Sequence, residues 1–214
     1  MDNDRIIKTC IEARIPVIAT GPPGTGKTGY GLDLAHWPCH SFKEGHYIMQ
    51  VIGSVREPTD IGGWPMRTPE GIILEPPYWA NQAQKLIEQG FHVVIMWDEM
   101  RTVTAPQQAA LLKVIHENRV GDKEMPRSIS HIAFANSVED SAGGVPLEPP
   151  MANRHAFVDW KFPPEQWVKD MTFNRYRPQG YLSEAGLAAL PSMRAEVATF
   201  IHARPSLLLL MPKD

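Results

Sequence analysis

A glycine-rich segment that ends in a lysine and a threonine is the part of this chain whose residue types and spacing most clearly indicate chemistry. Glycines at this density let the backbone curl, so that its N–H groups can point together at a phosphate. Lys27 would then reach the terminal phosphates of a nucleotide, and Thr28 would offer its hydroxyl to the Mg²⁺ that bridges them. The pattern predicts a nucleoside triphosphate site. The segment consists of Gly21, Pro22, Pro23, Gly24, Thr25, Gly26, Lys27 and Thr28.

Two adjacent carboxylates, Asp98 and Glu99, follow an apolar run over residues 93–97. If this run is a central parallel strand, the acids lie at its carboxyl end, where ligands bind in open α/β sheets. Asp98 would hold the Mg²⁺, while Glu99 would orient and polarise the water molecule that attacks the terminal phosphate. An acidic surface turn would have the same sequence. It is the glycine-rich segment upstream that favours the chemical interpretation.

Strands and helices alternate around these residues, which predicts an α/β fold with a central, mainly parallel sheet flanked by helices. A strand is predicted over residues 15–20, before the glycine-rich segment, and a helix over 28–36, after it. The mechanism needs this arrangement, because the strand and the helix hold the two ends of the loop. Further strands are predicted over residues 47–52, 93–97 and 129–135, and further helices over 78–89 and 105–118.

Two segments depart from this alternation. Residues 57–77 are rich in Gly and Pro and predict a hairpin-like excursion from the core, although an ordinary surface insertion would look similar. The segment that starts at Ser183 is interrupted by Gly186 and Pro191, which predicts two short helices.

The composition sets broad limits. With 214 residues, 43% of them hydrophobic, the chain suffices for one substantial α/β domain, predicted over 1–160, and a small helical extension over 161–214. The net charge of -3 argues against a protein built mainly to grip nucleic acid. Cys10 and Cys39 lack the paired spacing of a zinc site or a disulfide framework, so we interpret both as small, partly buried thiols. No signal peptide or membrane span is predicted, and we expect a cytoplasmic protein.

These segments resemble the corresponding parts of AAA+ ATPases. Residues 21–28, with two prolines and a threonine, are similar to the phosphate loop of that superfamily, and residues 98–154 resemble the MoxR family in particular. Residues 98–112 match the family's second motif and the helix after it without a gap, and residues 118–122 resemble the turn into the next strand. The resemblance covers about 15–160. It implies a P-loop NTPase core of the AAA+ type with Mg²⁺-dependent ATPase activity.

The resemblance also assigns roles to two further residues. Asn136 is similar to the family's sensor residue, which would hydrogen-bond both the attacking water and the γ-phosphate. An asparagine that caps a turn would look the same. Arg154, in the segment 149–154, is similar to the arginine finger, which a subunit presents to the nucleotide of its neighbour. A surface ion pair would also suit Arg154, and Arg101 and Arg119 are alternatives for the finger.

The family further implies a homo-oligomer, expected to be a hexameric ring, that remodels or matures a protein partner. A partner with a von Willebrand A-type domain fits this analogy. In MoxR proteins a hairpin faces the central pore, so Trp64, Met66 and the residues near Thr68 become candidates for contact with the partner. Two alternatives stay open, namely a nucleic-acid motor or loader and a scaffold that binds ATP but scarcely hydrolyses it.

One departure from the family concerns its lid. MoxR proteins continue into a helical lid whose arginine touches the γ-phosphate, whereas only one or two helices are predicted here after the core. The lid is therefore expected to be largely absent, either because the chain is a fragment or because a partner supplies the contact. No motif marks the adenine pocket, so the preference for ATP over GTP rests on the resemblance alone.

Overall fold

The chain forms two units, Met1–Trp160 and Lys161–Asp214. None of the helices described below combines the length and the apolar character that a membrane span requires. A computed structural model describes residues 3–137, 145–161, 164–173 and 183–209. The predicted extension over 161–214 therefore lies partly outside the described residues.

The elements of the first unit alternate between strands and helices. Its described strands are β1 (Val17–Thr20), β2 (His46–Ile52), β3 (Trp64–Thr68), β4 (Gly71–Glu75), β5 (His92–Asp98), β6 (Arg119–Val120), β7 (Lys123–Glu124), β8 (Ser130–Ala135) and β9 (Ala156–Asp159). Its described helices are α1 (Asn3–Ala13), α2 (Lys27–Asp33), α3 (Pro58–Gly62), α4 (Tyr78–Glu88), α5 (Ala105–Glu117) and α6 (Pro149–Ala152). Short 3-10 helices cover Leu34–His36, Gly53–Val55 and Met100–Thr102.

Five of these strands form one sheet in the order β2-β5-β8-β1-β9, and every neighbouring pair in it is parallel. The predicted α/β fold with a mainly parallel sheet is confirmed. Strand β8 is buried along its whole length and β5 is buried up to its last residue, Asp98. Near-continuous apolar strands of this kind are typical of a parallel sheet that is covered on both faces.

Helix α2 lies unusually close to the sheet, and Gly31 is the residue that permits this. A β-carbon at Gly31 would come within 2.2 Å of the Met96 sulfur and 2.6 Å of the Phe134 ring. The missing side chain therefore lets the helix after the glycine-rich loop pack directly onto β5 and β8. This close packing fixes where the helix begins, and with it the end of the loop.

The predicted excursion over 57–77 consists of helix α3 followed by the antiparallel hairpin of β3 and β4. Its base is tied to a second hairpin, β6 and β7, because the Asp122 carboxylate accepts a hydrogen bond from the Leu74 backbone N–H at 2.7 Å. The exposed side chains of the first hairpin include Trp64 and Met66, each about half accessible to solvent.

The predicted strands and helices of the core lie within one or two residues of the observed ones, apart from the 28–36 helix, which divides into α2 and the 3-10 helix Leu34–His36. Helix α1 and strand β9 were not predicted. Helix α1 buries Ile7 and Ile11 completely, but it lacks the strong start and stop signals that would have revealed it.

The second unit contains helices α7 (Pro164–Thr172) and α8 (Glu184–Ala203) and a 3-10 helix over Pro205–Leu209. The prediction of two short helices after Ser183 is wrong, because α8 is one helix with Pro191 inside it. A proline inside a helix removes one backbone hydrogen bond and crowds the carbonyl four residues before it, but good helix formers on both sides, together with packing against α7, continue the helix through it. Ser183 caps its start, and its hydroxyl accepts the Gly186 N–H at 3.2 Å.

Candidate nucleotide site

The glycine-rich segment forms a curled loop between β1 and α2. Gly24 and Gly26 have φ angles of 73° and 81°, a left-handed conformation that glycine adopts without steric cost. The Thr25 hydroxyl donates to the Pro22 carbonyl at 2.7 Å and holds the curl closed. At the start of the loop, a β-carbon on Gly21 would meet the Trp160 carbonyl oxygen at 2.4 Å. Glycine is thus required at several points for different physical reasons.

Lys27, the first residue of α2, is buried and turns back toward the loop. Its ammonium group donates to the Gly21 carbonyl at 2.8 Å, to the Pro22 carbonyl at 2.6 Å and to the Asn136 side-chain oxygen at 3.1 Å. The ammonium therefore lies between the loop and the end of β8. A positive charge at this position can bind an anionic ligand together with the backbone N–H groups of the loop.

Thr28 and Asp98 are brought into direct contact. The Thr28 hydroxyl donates to the Asp98 carboxylate at 2.8 Å, although the residues are 70 positions apart. The other carboxylate oxygen of Asp98 accepts the backbone N–H of Glu99 at 3.0 Å. Thr28 at the end of the phosphate loop and Asp98 at the end of β5 thus form a pair of oxygen ligands that suits a small, hard cation.

The first unit has the fold of a P-loop nucleotide-binding domain. Strand order, the curled loop after β1 and the carboxylate at the end of β5 are all present together. The ends of β5 and β8 face a cavity of about 390 Å³, whose lining includes the loop, both acids and Asn136.

Glu99 adopts a left-handed backbone conformation, with φ 58° and ψ 41°. For a residue with a β-carbon this costs roughly 1–2 kcal/mol. The carbonyl oxygen of Glu99 accepts both the backbone N–H and the hydroxyl of Thr102, at 2.9 and 2.7 Å, and these bonds hold the conformation. A strained residue that lines a cavity is a common feature of functional sites.

Arg154 does not line this cavity. It is exposed, lies two residues before β9 begins, and donates to the Pro150 carbonyl at 2.8 Å. Strand β9 runs parallel to β1, so the start of β9 lies at the amino ends of the strands, whereas the phosphate loop lies at their carboxyl ends. A four-residue strand separates the two edges by about 13 Å. Arg154 lines a different cavity, of about 190 Å³, together with Arg14 and Arg127.

The two alternative arginines also lie apart from the loop. Arg101 follows Glu99 by two residues, and its backbone carbonyl accepts the Val145 N–H at 2.8 Å. Arg119 is exposed in the second hairpin and donates to the Asp122 carbonyl at 3.2 Å. Neither lines the cavity beside the phosphate loop.

Two residues that touch this site were missed at the level of sequence. The Gln50 side-chain amide donates to the Asp98 carboxylate at 3.3 Å. The Trp160 indole donates to the Thr25 carbonyl at 3.2 Å and is buried. Gln50 lies in β2 and Trp160 follows β9, so only the strand order brings them to the loop and to Asp98, and no local motif marks them.

Comparisons with known proteins found similar solved structures but no matching sequence family. A scan against protein-family models found no match, and a search of curated proteins found none either. Among solved structures, a protein of Cytophaga hutchinsonii named "putative ATPase" aligns with 91% of this chain at 20% sequence identity and a TM-score of 0.47. The chain spans 56% of the length of that protein. The strand order and the loop geometry, rather than this similarity, define the fold.

Proposed function

We propose that this chain is a Mg²⁺-dependent ATPase of the AAA+ superfamily, similar to the MoxR family, that acts on a protein partner. The observation that carries the proposal is the meeting of Lys27, Thr28, Asp98 and Asn136 around one loop at the carboxyl edge of the sheet. These residues come from three separate parts of the chain. Their convergence on one cavity, with the loop backbone as its wall, fits a triphosphate.

The donor set fits Mg²⁺. The Thr28 hydroxyl and the Asp98 carboxylate are both oxygen ligands, lie 2.8 Å apart and contribute a single negative charge, which leaves room for phosphate oxygens to complete the shell. When bound, the ion would neutralise charge that develops on the phosphates during transfer. Gln50 would hold the Asp98 carboxylate in place through the amide contact.

The remaining groups divide the work on the triphosphate. Lys27 would exchange its contacts with the loop carbonyls for the phosphate oxygens, because a charged acceptor binds an ammonium more strongly than a neutral carbonyl does. Asn136, already in contact with Lys27, would orient the attacking water. Glu99 would polarise that water and accept its proton.

We further propose that Arg154 acts on the nucleotide of a neighbouring subunit in a ring, which we expect to be hexameric. Its exposure and its place at the edge of the sheet opposite the phosphate loop support action in trans. Arg14 and Arg127, which line the same cavity, would add positive potential toward an anionic ligand of the neighbour.

The β3 and β4 hairpin is the surface that we propose contacts the protein partner. Trp64 and Met66 are about half exposed there, and Ile72 is three-quarters exposed. Exposed apolar side chains on one hairpin support contact with a partner more than a purely structural role. A partner with a von Willebrand A-type domain is part of this proposal.

Replacing Glu99 by Gln tests the ATPase directly. Glutamine keeps the shape and polarity of the side chain but cannot accept a proton, so nucleotide binding should persist while ATP hydrolysis falls by about 10² to 10⁴. Both are measured on one preparation, binding with a fluorescent ATP analogue and hydrolysis by phosphate release, at high protein concentration.

Glu124→Gln is the matched control, because Glu124 is an exposed glutamate in β7, remote in sequence from the loop. It should leave both binding and hydrolysis unchanged. If the wild type binds ATP but its hydrolysis equals that of Glu99→Gln, the scaffold alternative replaces the ATPase. If the wild type does not bind ATP at all, the proposed function is wrong.

A further inference from the structure

Three side chains with metal-binding donors meet at the amino edge of the sheet, away from the phosphate loop. His46 and His92 are the first residues of β2 and β5, and the parallel register places them directly opposite each other. Cys39 lies in the segment that leads into β2. One donor atom from each of the three residues lies within 4.8 Å of the others. Both histidines are buried and the cysteine is half-buried.

The hydrogen bonds around His92 define its protonation. The Ser130 hydroxyl donates to the Ile11 carbonyl at 2.7 Å, so its oxygen is left to accept from the His92 Nε2–H at 2.8 Å. The proton on Nε2 leaves the lone pair on Nδ1. A histidine whose second nitrogen is fixed by a hydrogen bond to a neighbour is the usual arrangement of a metal ligand.

His46 supplies an independent observation. Its side chain is 6% exposed, and both ring nitrogens are buried without a hydrogen-bond partner in the part of the chain that the structure describes. Burial of a polar group without a partner is costly, and native structures rarely leave one in this state. Trp37 stacks on the His46 ring at 4.7 Å and holds the ring in place without satisfying its nitrogens.

Burial favours the neutral form of both histidine rings, which is the form in which imidazole binds a metal. Burial lowers the pKa of His46, and the nearby Glu12 carboxylate offsets only part of this effect. Burial also lowers the pKa of His92 to about 4, with smaller contributions from His46 and Arg14.

We infer that Cys39, His46 and His92 bind a transition-metal ion of the Zn²⁺ type. One thiolate and two imidazoles are the donors that Zn²⁺ prefers, and three protein ligands leave the fourth tetrahedral position for water. Bonds of about 2.0–2.3 Å place tetrahedral ligand atoms roughly 3.3–3.8 Å apart. The three donor atoms, which lie within 4.8 Å of one another, therefore need to move together by only about 1 Å. The ion would tie the segment around Cys39 to the starts of two strands.

The inference does not depend on the proposed ATPase. His46 and His92 lie at the amino ends of β2 and β5, with Cys39 close to both, whereas the groups assigned to nucleotide and Mg²⁺ lie at the carboxyl ends of the strands. The donors differ as well, because sulfur and nitrogen ligands disfavour Mg²⁺. A negative result for the metal site would therefore not count against the proposed ATPase, and a negative result for the ATPase would not count against the metal site.

Cobalt titration of the full chain tests the inference. The protein is stripped with a chelator, kept reduced with a phosphine, and titrated with Co²⁺ alone and then with Zn²⁺ alone. One Co²⁺ per chain should bind, with the visible bands of a tetrahedral ion and an ultraviolet thiolate-to-cobalt band. Zn²⁺ should displace it and raise the thermal midpoint of unfolding of the wild type. This arm needs no variant, so it does not depend on whether variants fold.

Variants then assign the ligands. Cys39→Ser should abolish the thiolate band and weaken binding by at least about 100-fold, and Ser130→Ala should weaken it by about 10- to 100-fold through loss of the His92 contact. Cys10→Ser is the matched control, because Cys10 is the second free cysteine and lies outside the cluster; it should keep the band. Absence of stoichiometric Co²⁺ binding, an octahedral spectrum, or a band that survives in Cys39→Ser would overturn the inference.

Discussion

Lys27 illustrates how one side chain connects the parts of the candidate nucleotide site. Its ammonium touches two loop carbonyls and Asn136, which belong to segments separated by more than a hundred residues in the sequence. Such a compact charge has no substitute nearby, because the phosphate loop contains no other basic residue. Nucleotide affinity should thus depend strongly on this residue.

Replacing Lys27 by Ala should weaken ATP binding by a factor on the order of 100 or more, because two charge-assisted hydrogen bonds to phosphate would be lost. Equilibrium titration with a fluorescent ATP analogue measures the effect. Lys43→Ala serves as a control, since Lys43 is exposed and makes a long ion pair with Glu44 at 3.8 Å. An unchanged affinity in Lys27→Ala would mean that the loop does not hold the phosphates.

The close contact of helix α2 with the sheet can be tested as an element. Gly31→Ala should lower the free energy of unfolding by about 1–3 kcal/mol, because the new methyl group meets Met96 and Phe134. Gly29→Ala is matched to it in the same helix, where a β-carbon has nothing within 4 Å, and it should be neutral or stabilising by up to about 1 kcal/mol. Urea unfolding of both variants measures the difference.

If both glycine variants were equally stable, α2 would have to lie farther from the sheet than described. The loop before it would then lose the fixed end on which the geometry of Lys27 and Thr28 depends. The comparison therefore separates the intrinsic helix preference, which is the same at both positions, from packing, which differs.

Elements with strong local signals could be predicted from sequence, and elements that depend on distant partners could not. The buried run that became β5 and the loop after β1 carry their own apolar and glycine patterns. Strand β9 is short, alternates in burial and is defined by its pairing with β1. Its existence depends on a neighbour that no local pattern reveals.

The same reasoning applies to the two sites. Lys27, Thr28, Asp98 and Glu99 lie in recognisable motifs, whereas the contact of Thr28 with Asp98 follows from strand order. The cysteine spacing gave no sign of a metal site, because His46 and His92 meet only through the parallel register of β2 and β5. Register is a property of the folded sheet, and a single sequence does not encode it visibly.

At the scale of the whole molecule, the proposed action of Arg154 on a neighbouring subunit predicts that activity belongs to an assembly. Arg154→Ala should bind ATP almost normally but hydrolyse it about 10³-fold more slowly, since a finger stabilises charge that develops only during transfer. Mixing Arg154→Ala with Glu99→Gln should restore part of the activity, because some interfaces in a mixed ring contain both intact groups. Phosphate release from the mixture measures this recovery.

Arg119→Ala gives the matched comparison for the finger, because Arg119 is an exposed alternative in the second hairpin. It should retain hydrolysis close to that of the wild type. No recovery in the mixture, with both single variants assembled, would argue that Arg154 works within its own subunit or has no part in hydrolysis.

The stability of the first unit should fall in mild acid because of His131. Burial lowers the pKa of His131 to about 3, and its Nδ1 accepts the Trp97 indole N–H at 3.2 Å. Its contribution to stability is complete above pH 6.5. This contribution is lost as the pH falls from 6.5 toward 3, because His131 binds a proton in the unfolded chain but not in the folded one.

His131→Gln tests this contribution, since glutamine keeps an acceptor for Trp97 but does not titrate. Between pH 6 and 4.5, the unfolding free energy of the wild type should decline more steeply than that of the variant, by up to about 1.4 kcal/mol per pH unit. Urea unfolding across this range measures both slopes, and the other titrating groups, among them the neighbouring His155, are present in both proteins. Parallel slopes would show that His131 is protonated with equal ease in both states.

The left-handed backbone of Glu99 has a consequence for the engineering of this protein. Glycine would occupy that conformation with less strain, yet it would remove the carboxylate to which we assign the activation of water in the proposed ATPase. Selection for heat resistance and selection for activity therefore favour different residues at this one position. A library screened only for survival at high temperature should therefore be enriched in variants that are more stable than the natural protein and have lost catalytic activity.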